Sequence, residues 1–136
     1  MSYLLDTNAV IAILNGRPPI VRDRFQATLR QRDTIAVSSI VLFELWYGIG
    51  RGRRQDENAQ ALRMLLAGGV GTLAFDDEDA QAAGNLRATL ESAGRPIGPF
   101  DTLIAGQAIR RSATLVTANA RAFARVPGLV CQDWTR

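Results

Sequence analysis

A three-layer α/β sandwich is the fold class this sequence predicts, on three observations. Short apolar runs of strand length recur along the chain. One or two helix-patterned segments separate each run from the next. Those intervals are long enough to carry a chain back over a sheet, so the strands can pair in parallel through right-handed crossovers. At 136 residues, with no repeat, low-complexity tract or linker, residues 1–136 are expected to form a single domain.

Each element has a local reason. Tyr3-Leu4-Leu5 reads as a buried first strand, and Thr7 to Leu14 as a helix stopped by Asn15-Gly16. Pro18-Pro19 opens a second helix to about Arg30, with Ile20, Val21, Phe25 and Leu29 as its apolar stripe. Thr34 to Val37 is the next strand. Ser38-Ser39 supplies a cap for a helix over Ile40 to Ile49. Gly50-Arg51-Gly52-Arg53-Arg54 breaks that helix, and another runs from Asp56 to Leu66. Gly68, Gly69 and Gly71 lead into a strand at Thr72 to Phe75, and Asp76-Asp77 caps a long helix to about Ser92. After a loop at Gly94 to Gly98, Pro99 starts a helix to about Arg111. Ala113 to Val116 is the fourth strand, a short helix follows from Asn119 to Arg125, and Leu129 to Cys131 is a short fifth strand.

Two absences in the composition narrow the chemistry. There is no His, which removes imidazole bases, His-ligated zinc and Ser-His or Cys-His nucleophiles. All sixteen basic residues are Arg, so neither a P-loop lysine nor Schiff-base chemistry is available. The chemistry of an enzyme of this composition is expected to rest on carboxylates, with a hard metal ion as their natural partner. The net charge of +3 is a mild lean toward polyanions, and a GC-rich genome explains the arginines more readily than phosphate binding does. The lone Cys131 has no intramolecular partner, which fits a reducing compartment. The N-terminus lacks the basic region of a secretory signal, and no stretch approaches the ~20 apolar residues of a membrane span. A soluble, cytoplasmic protein is the expectation.

Ligands of such folds bind beyond the carboxyl ends of the strands. Asp6 directly follows the first strand, Ser38 the second, Asp76 the third and Asn119 the fourth. Glu44 and Asp101 lie in helices expected at that edge. Asp6, Glu44 and Asp101 are each a lone acid among large apolar residues. An unpaired buried carboxylate costs several kcal/mol unless neutralised or bound to a cation. Two of them ~5 Å apart repel by roughly 3 kcal/mol at an effective dielectric of ~20. A divalent metal reverses that sign, and Mg²⁺ or Mn²⁺ suits an all-oxygen site.

Each acid also has a plainer explanation. Asp6 can cap the first helix, Asp101 can answer the dipole two residues after Pro99, and Glu44 can be a solvated position on an amphipathic helix. Asp76, Asp77, Glu78 and Asp79 read as capping and dipole compensation. Capping is the simpler role for Ser38, while Asn119 is balanced between a helix cap and a site residue. Arg51, Arg53 and Arg54 are balanced between a phosphate-contacting patch and a solvated loop. Trp46 and Tyr47 read as core or interface in preference to base-stacking platforms.

Taken together, the motifs resemble those of PIN domains. Asp6-Thr7-Asn8 resembles the opening motif, Ser38-Ser39-Ile40 with Glu44 the second, and Asp101 in Pro96-Ile-Gly-Pro-Phe-Asp-Thr-Leu-Ile-Ala-Gly the third. The stretch from Leu115 to Leu129 is similar to the closing segment of the VapC branch. The resemblance covers nearly the whole chain, with its motifs in order. It implies a three-layer α/β/α sandwich with a five-stranded parallel sheet and a Mg²⁺- or Mn²⁺-dependent endoribonuclease. By position, Asp6 and Asp101 are implied as direct metal ligands, with Glu44 binding through water or completing the acidic cup. The fourth position, often Asp, is Asn119 here, which can orient water but adds no charge. The resemblance further implies metal-activated water attack leaving a 5′-phosphate and a 3′-hydroxyl, a homodimer, and inhibition by a VapB-like antitoxin whose Arg enters the acidic pocket. Structured RNA, tRNA included, is the implied substrate class.

Three rivals remain. A receiver domain needs a Lys that the chain lacks. A non-catalytic RNA- or protein-binding module is supported by Asn119 and opposed by the intact trio of acids. A DNA nuclease is separated by parallel assays on RNA and single-stranded DNA.

Overall fold

The computed structural model describes residues 1–136. Its strands are β1 (Ser2–Leu5), β2 (Thr34–Ser38), β3 (Val70–Leu73), β4 (Thr114–Val116) and β5 (Cys131–Gln132). The helices are α1 (Thr7–Asn15), α2 (Pro19–Arg30), α3 (Ser39–Gly50), α4 (Gln55–Ala67), α5 (Asp77–Ser92), α6 (Pro99–Arg110) and α7 (Ala120–Phe123). The sheet runs in the order β3-β2-β1-β4-β5, with every pair parallel. The expected five-stranded sandwich is therefore present.

Burial on both faces explains why the central strands read as continuous apolar runs. Tyr3, Leu4, Leu5, Ile35, Ala36, Val37, Leu115 and Val116 are all buried. Helices α1 to α4 contact one another, while α5 and α6 pack chiefly as a pair. Right-handed crossovers place these two sets on opposite faces: the chain steps outward from β1 to β3, then returns to β4 on the far side of β1. A single core of 25 buried residues includes Val10, Val41, Leu62, Ile104 and Phe123.

α5 and α6 pack closely along their length. A Cβ on Gly106 would lie 2.6 Å from the Ala83 Cα, so only glycine permits this approach. Gly16 ends α1 with φ +68°, the left-handed conformation expected of the Asn15-Gly16 stop.

Two strands differ from the expectation. β3 starts earlier, at Val70, and ends at Leu73, so Gly71 lies inside the strand and Ala74-Phe75 outside it. Pairing decides this: Val70 sits opposite Ile35 and Gly71 opposite Ala36, and an edge strand can place a glycine where no side chain is required. The Phe75 N–H instead donates to Ser39 Oγ at 3.0 Å. β5 is Cys131–Gln132, starting two positions and ending one position later than the expected Leu129 to Cys131, because those residues lie against Leu115 and Val116.

Candidate active site

The order of the strands creates the site. β1 and β4 are neighbours, yet the chain leaves them toward opposite sides, the topological switch point where open α/β sheets bind ligands. Asp6 sits in that crevice. Its N–H donates to the Val116 carbonyl at 3.1 Å, and its Oδ1 accepts from the Ala9 N–H at 2.8 Å. The carboxylate thus caps α1, as the plainer reading held. Capping does not account for the whole group, because Asp6 is only 7% exposed and no cation pairs with it.

Glu44 and Asp101 approach from the two helix layers. Glu44 is half-buried in the middle of α3 and accepts from Thr7 Oγ1 at 2.8 Å, a bond that ties α3 to the first turn of α1. Asp101 lies in the first turn of α6, next to the favourable end of the helix dipole, and is half-buried with no cap bond. The structure brings all three within electrostatic reach. Burial raises the pKa of Asp6; hydrogen bonds from Thr117 and Ala9 oppose this; the charges of Asp101 and Glu44 raise it again, and the net direction is upward. Burial raises Asp101 as well, followed by repulsion from Glu44.

A second buried aspartate shows the contrast. Asp79 is fully buried, yet Arg110 Nε lies 2.7 Å and Arg111 Nη2 3.1 Å from its oxygens, and Gln107 Nε2 donates at 3.0 Å. Burial alone would raise its pKa, but the bonds from Arg111, the Asp76 N–H, Arg110 and Gln107 hold it well below the usual carboxylate range. Asp76 and Asp79 also form a reciprocal capping box at the start of α5. The acidic run is therefore structural, as expected, although its burial against two arginines was not legible. Asp6, Glu44 and Asp101 form no ion pair although each is at least partly buried, whereas the other unpaired acids, Asp23, Asp56 and Asp77, are exposed.

Such a donor set fits a hard divalent cation. It is all oxygen, partly desolvated, mutually repelling and without internal countercharge. No three acidic side chains are placed to ligate one ion directly together. A cation there would therefore be held by fewer than three direct carboxylate ligands, with water completing its sphere.

The remaining sequence candidates fall on both sides. Asn119 is exposed at the start of α7, where its side chain makes no cap bond; its N–H donates to Thr117 Oγ1 at 2.9 Å. It is thus linked to Asp6 only through Thr117. Ser38 is buried and caps α3 through the Ile40 N–H at 3.1 Å. Arg54 pairs with Glu57, and Arg51 lies over the Tyr47 ring at 5.5 Å. Trp46 and Tyr47 are exposed and so are not core residues. Thr117 and Thr7 were missed as site residues. Thr117 had a usable signal, since it is the first residue past β4 and the counterpart of Asp6 past β1.

A five-stranded parallel sheet with unpaired acids at its switch point defines an open α/β class with an acidic crevice, and sequence comparison gives the family. The chain belongs to the PIN-domain family, whose model matches residues 3–129. It is 36% identical over 135 residues to the tRNA(fMet)-specific endonuclease VapC of Shigella flexneri, covering 99% of both chains. With ribonuclease VapC2 of Rickettsia felis it shares 37% over 139 residues, covering both chains fully. Among solved structures, VapBC2 of Rickettsia felis bound to a DNA fragment from their promoter superposes with a TM-score of 0.90 at 36% identity, over 97% of this chain and 98% of that one. The DNA-bound VapBC of Salmonella typhimurium gives a TM-score of 0.88 at 34% identity, over 98% of each chain. This chain therefore groups with the VapC ribonucleases.

Proposed function

We propose that this VapC-family chain cleaves RNA hydrolytically, with Mg²⁺ or Mn²⁺ held by Asp6 and Asp101 and with Glu44 completing the acidic cup. The observation that carries the reading is the trio itself: three carboxylates from β1–α1, α3 and α6 converge without a countercharge. When bound, the ion supplies Lewis-acid activation of water and neutralises charge on the phosphate. The protein's own groups do the rest. Ala9 and Thr117 fix the Asp6 carboxylate, and Thr7 fixes that of Glu44. Glu44 would orient and take a proton from the attacking water, and the exposed Asn119 amide would orient water without adding charge. With no His in the chain, an imidazole acid–base pair for 2′-hydroxyl attack is unavailable. Water attack in line leaves a 5′-phosphate and a 3′-hydroxyl.

A substrate among the tRNAs is supported by the full-length relative that carries that specificity in its name. A VapB-like antitoxin is supported by the complexes in which the similar structures occur. A groove of about 330 Å³ between α1, α3 and α4 is lined by Ile11, Leu14, Leu45, Ile49 and Leu62, with Glu44 also in its wall. It suits an apolar partner segment that delivers an Arg to the acids. A homodimer is the family's usual assembly. No helix is long and apolar enough to cross a membrane; a cytoplasmic site of action follows from the RNA substrate and the unpaired Cys131.

The test is incubation of partner-free protein with total tRNA, in Mg²⁺, Mn²⁺ or EDTA, beside Asp101→Asn. Discrete fragments requiring both metal and Asp101 are expected. Undiminished cleavage in EDTA, or by the variant, overturns the reading.

A further inference from the structure

With neither lysine nor histidine in the chain, only arginines can set where a phosphodiester backbone lies against this protein. Several are already engaged: five of the sixteen pair with carboxylates and two lie over aromatic rings. Others stand at the wrong edge, since Arg30 and Arg32 directly precede β2. Arg95, Arg121 and Arg125 differ on both counts. All three are exposed and have no carboxylate partner. Arg121 and Arg125 follow β4 at the carboxyl edge of the sheet, and Arg95 lies in the loop that enters α6.

The fold joins these two segments beside the acids. Arg125 Nη1 donates to the Pro96 carbonyl at 3.0 Å, which docks the chain after α7 onto the loop carrying Arg95. Arg121 precedes Arg125 by one helical turn, and the Ala124 N–H donates to the Ala120 carbonyl at 2.9 Å within that turn. The same loop ends at Gly98, where a Cβ would lie 3.6 Å from Asp101 Oδ2. Chain geometry then keeps the Arg125 guanidinium within about 15 Å of the Asp101 carboxylate. Pro96 takes one N–H of that guanidinium, and the group has five. Charge on this flank is one-sided. From Ser92 to Gln132 the only acid is Asp101, and Arg110 and Arg111 in that stretch are committed to Asp79. Asn119, exposed at the start of α7, adds no negative charge.

Resting on the ribonuclease reading, we propose that Arg95, Arg121 and Arg125 form a phosphate-binding rim on the α6–α7 flank of the crevice, which holds the RNA backbone next to the cleaved phosphodiester. Guanidinium groups suit this role because their fork matches two phosphate oxygens at once. The rim positions the strand and reads no bases. Pairing of Arg125 with Pro96 links the rim to the entry of α6, so a bound phosphate is registered against Asp101.

The experiment measures binding of fluorescein-labelled total tRNA to the full chain in EDTA over a range of NaCl concentrations, and cleavage in Mg²⁺. The variants are Arg95→Ala with Arg121→Ala, Arg125→Ala, Arg125→Lys, and Arg30→Ala with Arg32→Ala as a control of equal charge at the far edge. Each rim arginine removed is expected to reduce the slope of log affinity against log salt by roughly 1. The Arg95→Ala, Arg121→Ala pair is expected to raise KM at least about tenfold with kcat within about twofold, and to leave Mn²⁺ affinity by calorimetry unchanged. Arg125→Lys is expected to keep the slope that Arg125→Ala loses. An unchanged slope and KM in the Arg95→Ala, Arg121→Ala pair overturns the proposal. So does an equal loss in the far-edge control, which would make net charge the whole effect. Weakened Mn²⁺ binding by Arg125→Ala at an unchanged slope also overturns it, by making Arg125 a prop for Asp101 alone. If the wild type binds with the expected slope but cuts no tRNA, the nuclease reading fails while the rim stands.

Discussion

Asp6 and Asp79 are both buried aspartates, and their surroundings treat them oppositely. Asp79 has two arginines; Asp6 has two other carboxylates. Raised pKa values at Asp6 and Asp101 mean that the metal-free native state binds protons more tightly than the unfolded chain. The contribution of these two groups to stability is therefore fullest below the ordinary carboxylate value of 3.8 and declines as pH rises through that value toward the raised one. Asp6→Asn keeps the cap and removes the charge, so in EDTA at neutral pH it is expected to unfold at a higher temperature than wild type. Its cleavage rate in Mg²⁺ is expected to fall at least about 100-fold. A variant less stable in EDTA would contradict the electrostatic account. Glu44→Gln removes a charge that raises both aspartates, so carboxyl NMR titration of the metal-free protein is expected to show the Asp6 and Asp101 midpoints moving down. The three acids were legible in the sequence because each stood alone among apolar neighbours. Thr7 was not, since a threonine's hydroxyl gives no such contrast with its surroundings, and Thr117 was marked only by its place directly after β4.

At the scale of elements, the placement of Asp101 depends on how α6 is clamped. Gly106 lets α6 close onto Ala83, and Gln107 and Arg110 bond to Asp79 near the start of α5. Gly106→Ala must push the helices apart, with an expected loss of about 2 kcal/mol by denaturant unfolding. Asp79→Ala strips the arginines of their shared partner, and about 3 kcal/mol is expected to be lost. Because the Asp79 pKa is depressed, its contribution is present above the unfolded value and disappears as pH falls below it. Wild type and Asp79→Ala should therefore converge in stability in strong acid. The helices were legible from caps, prolines and apolar stripes that act locally. β3 was misplaced because its limits come from pairing with β2, and no local signal marks Val70-Gly71 as strand. The Asp79 cluster was hidden for the same reason: its arginines lie more than thirty residues away.

For the whole molecule, the site follows from the reversal of direction at β1 and β4, which joins residues more than a hundred positions apart into one crevice. Alternating strands and helices made the sandwich legible. The order β3-β2-β1-β4-β5 was not, since alternation alone does not say on which side of β1 the chain returns. The central claim is that this crevice holds a divalent cation on Asp6 and Asp101. Titration calorimetry of Mn²⁺ into wild type, Asp6→Asn and Asp101→Asn tests it without reference to RNA. The account expects saturable binding by wild type and a loss of at least about tenfold in affinity in either variant. Equal Mn²⁺ affinity in all three folded proteins would contradict it.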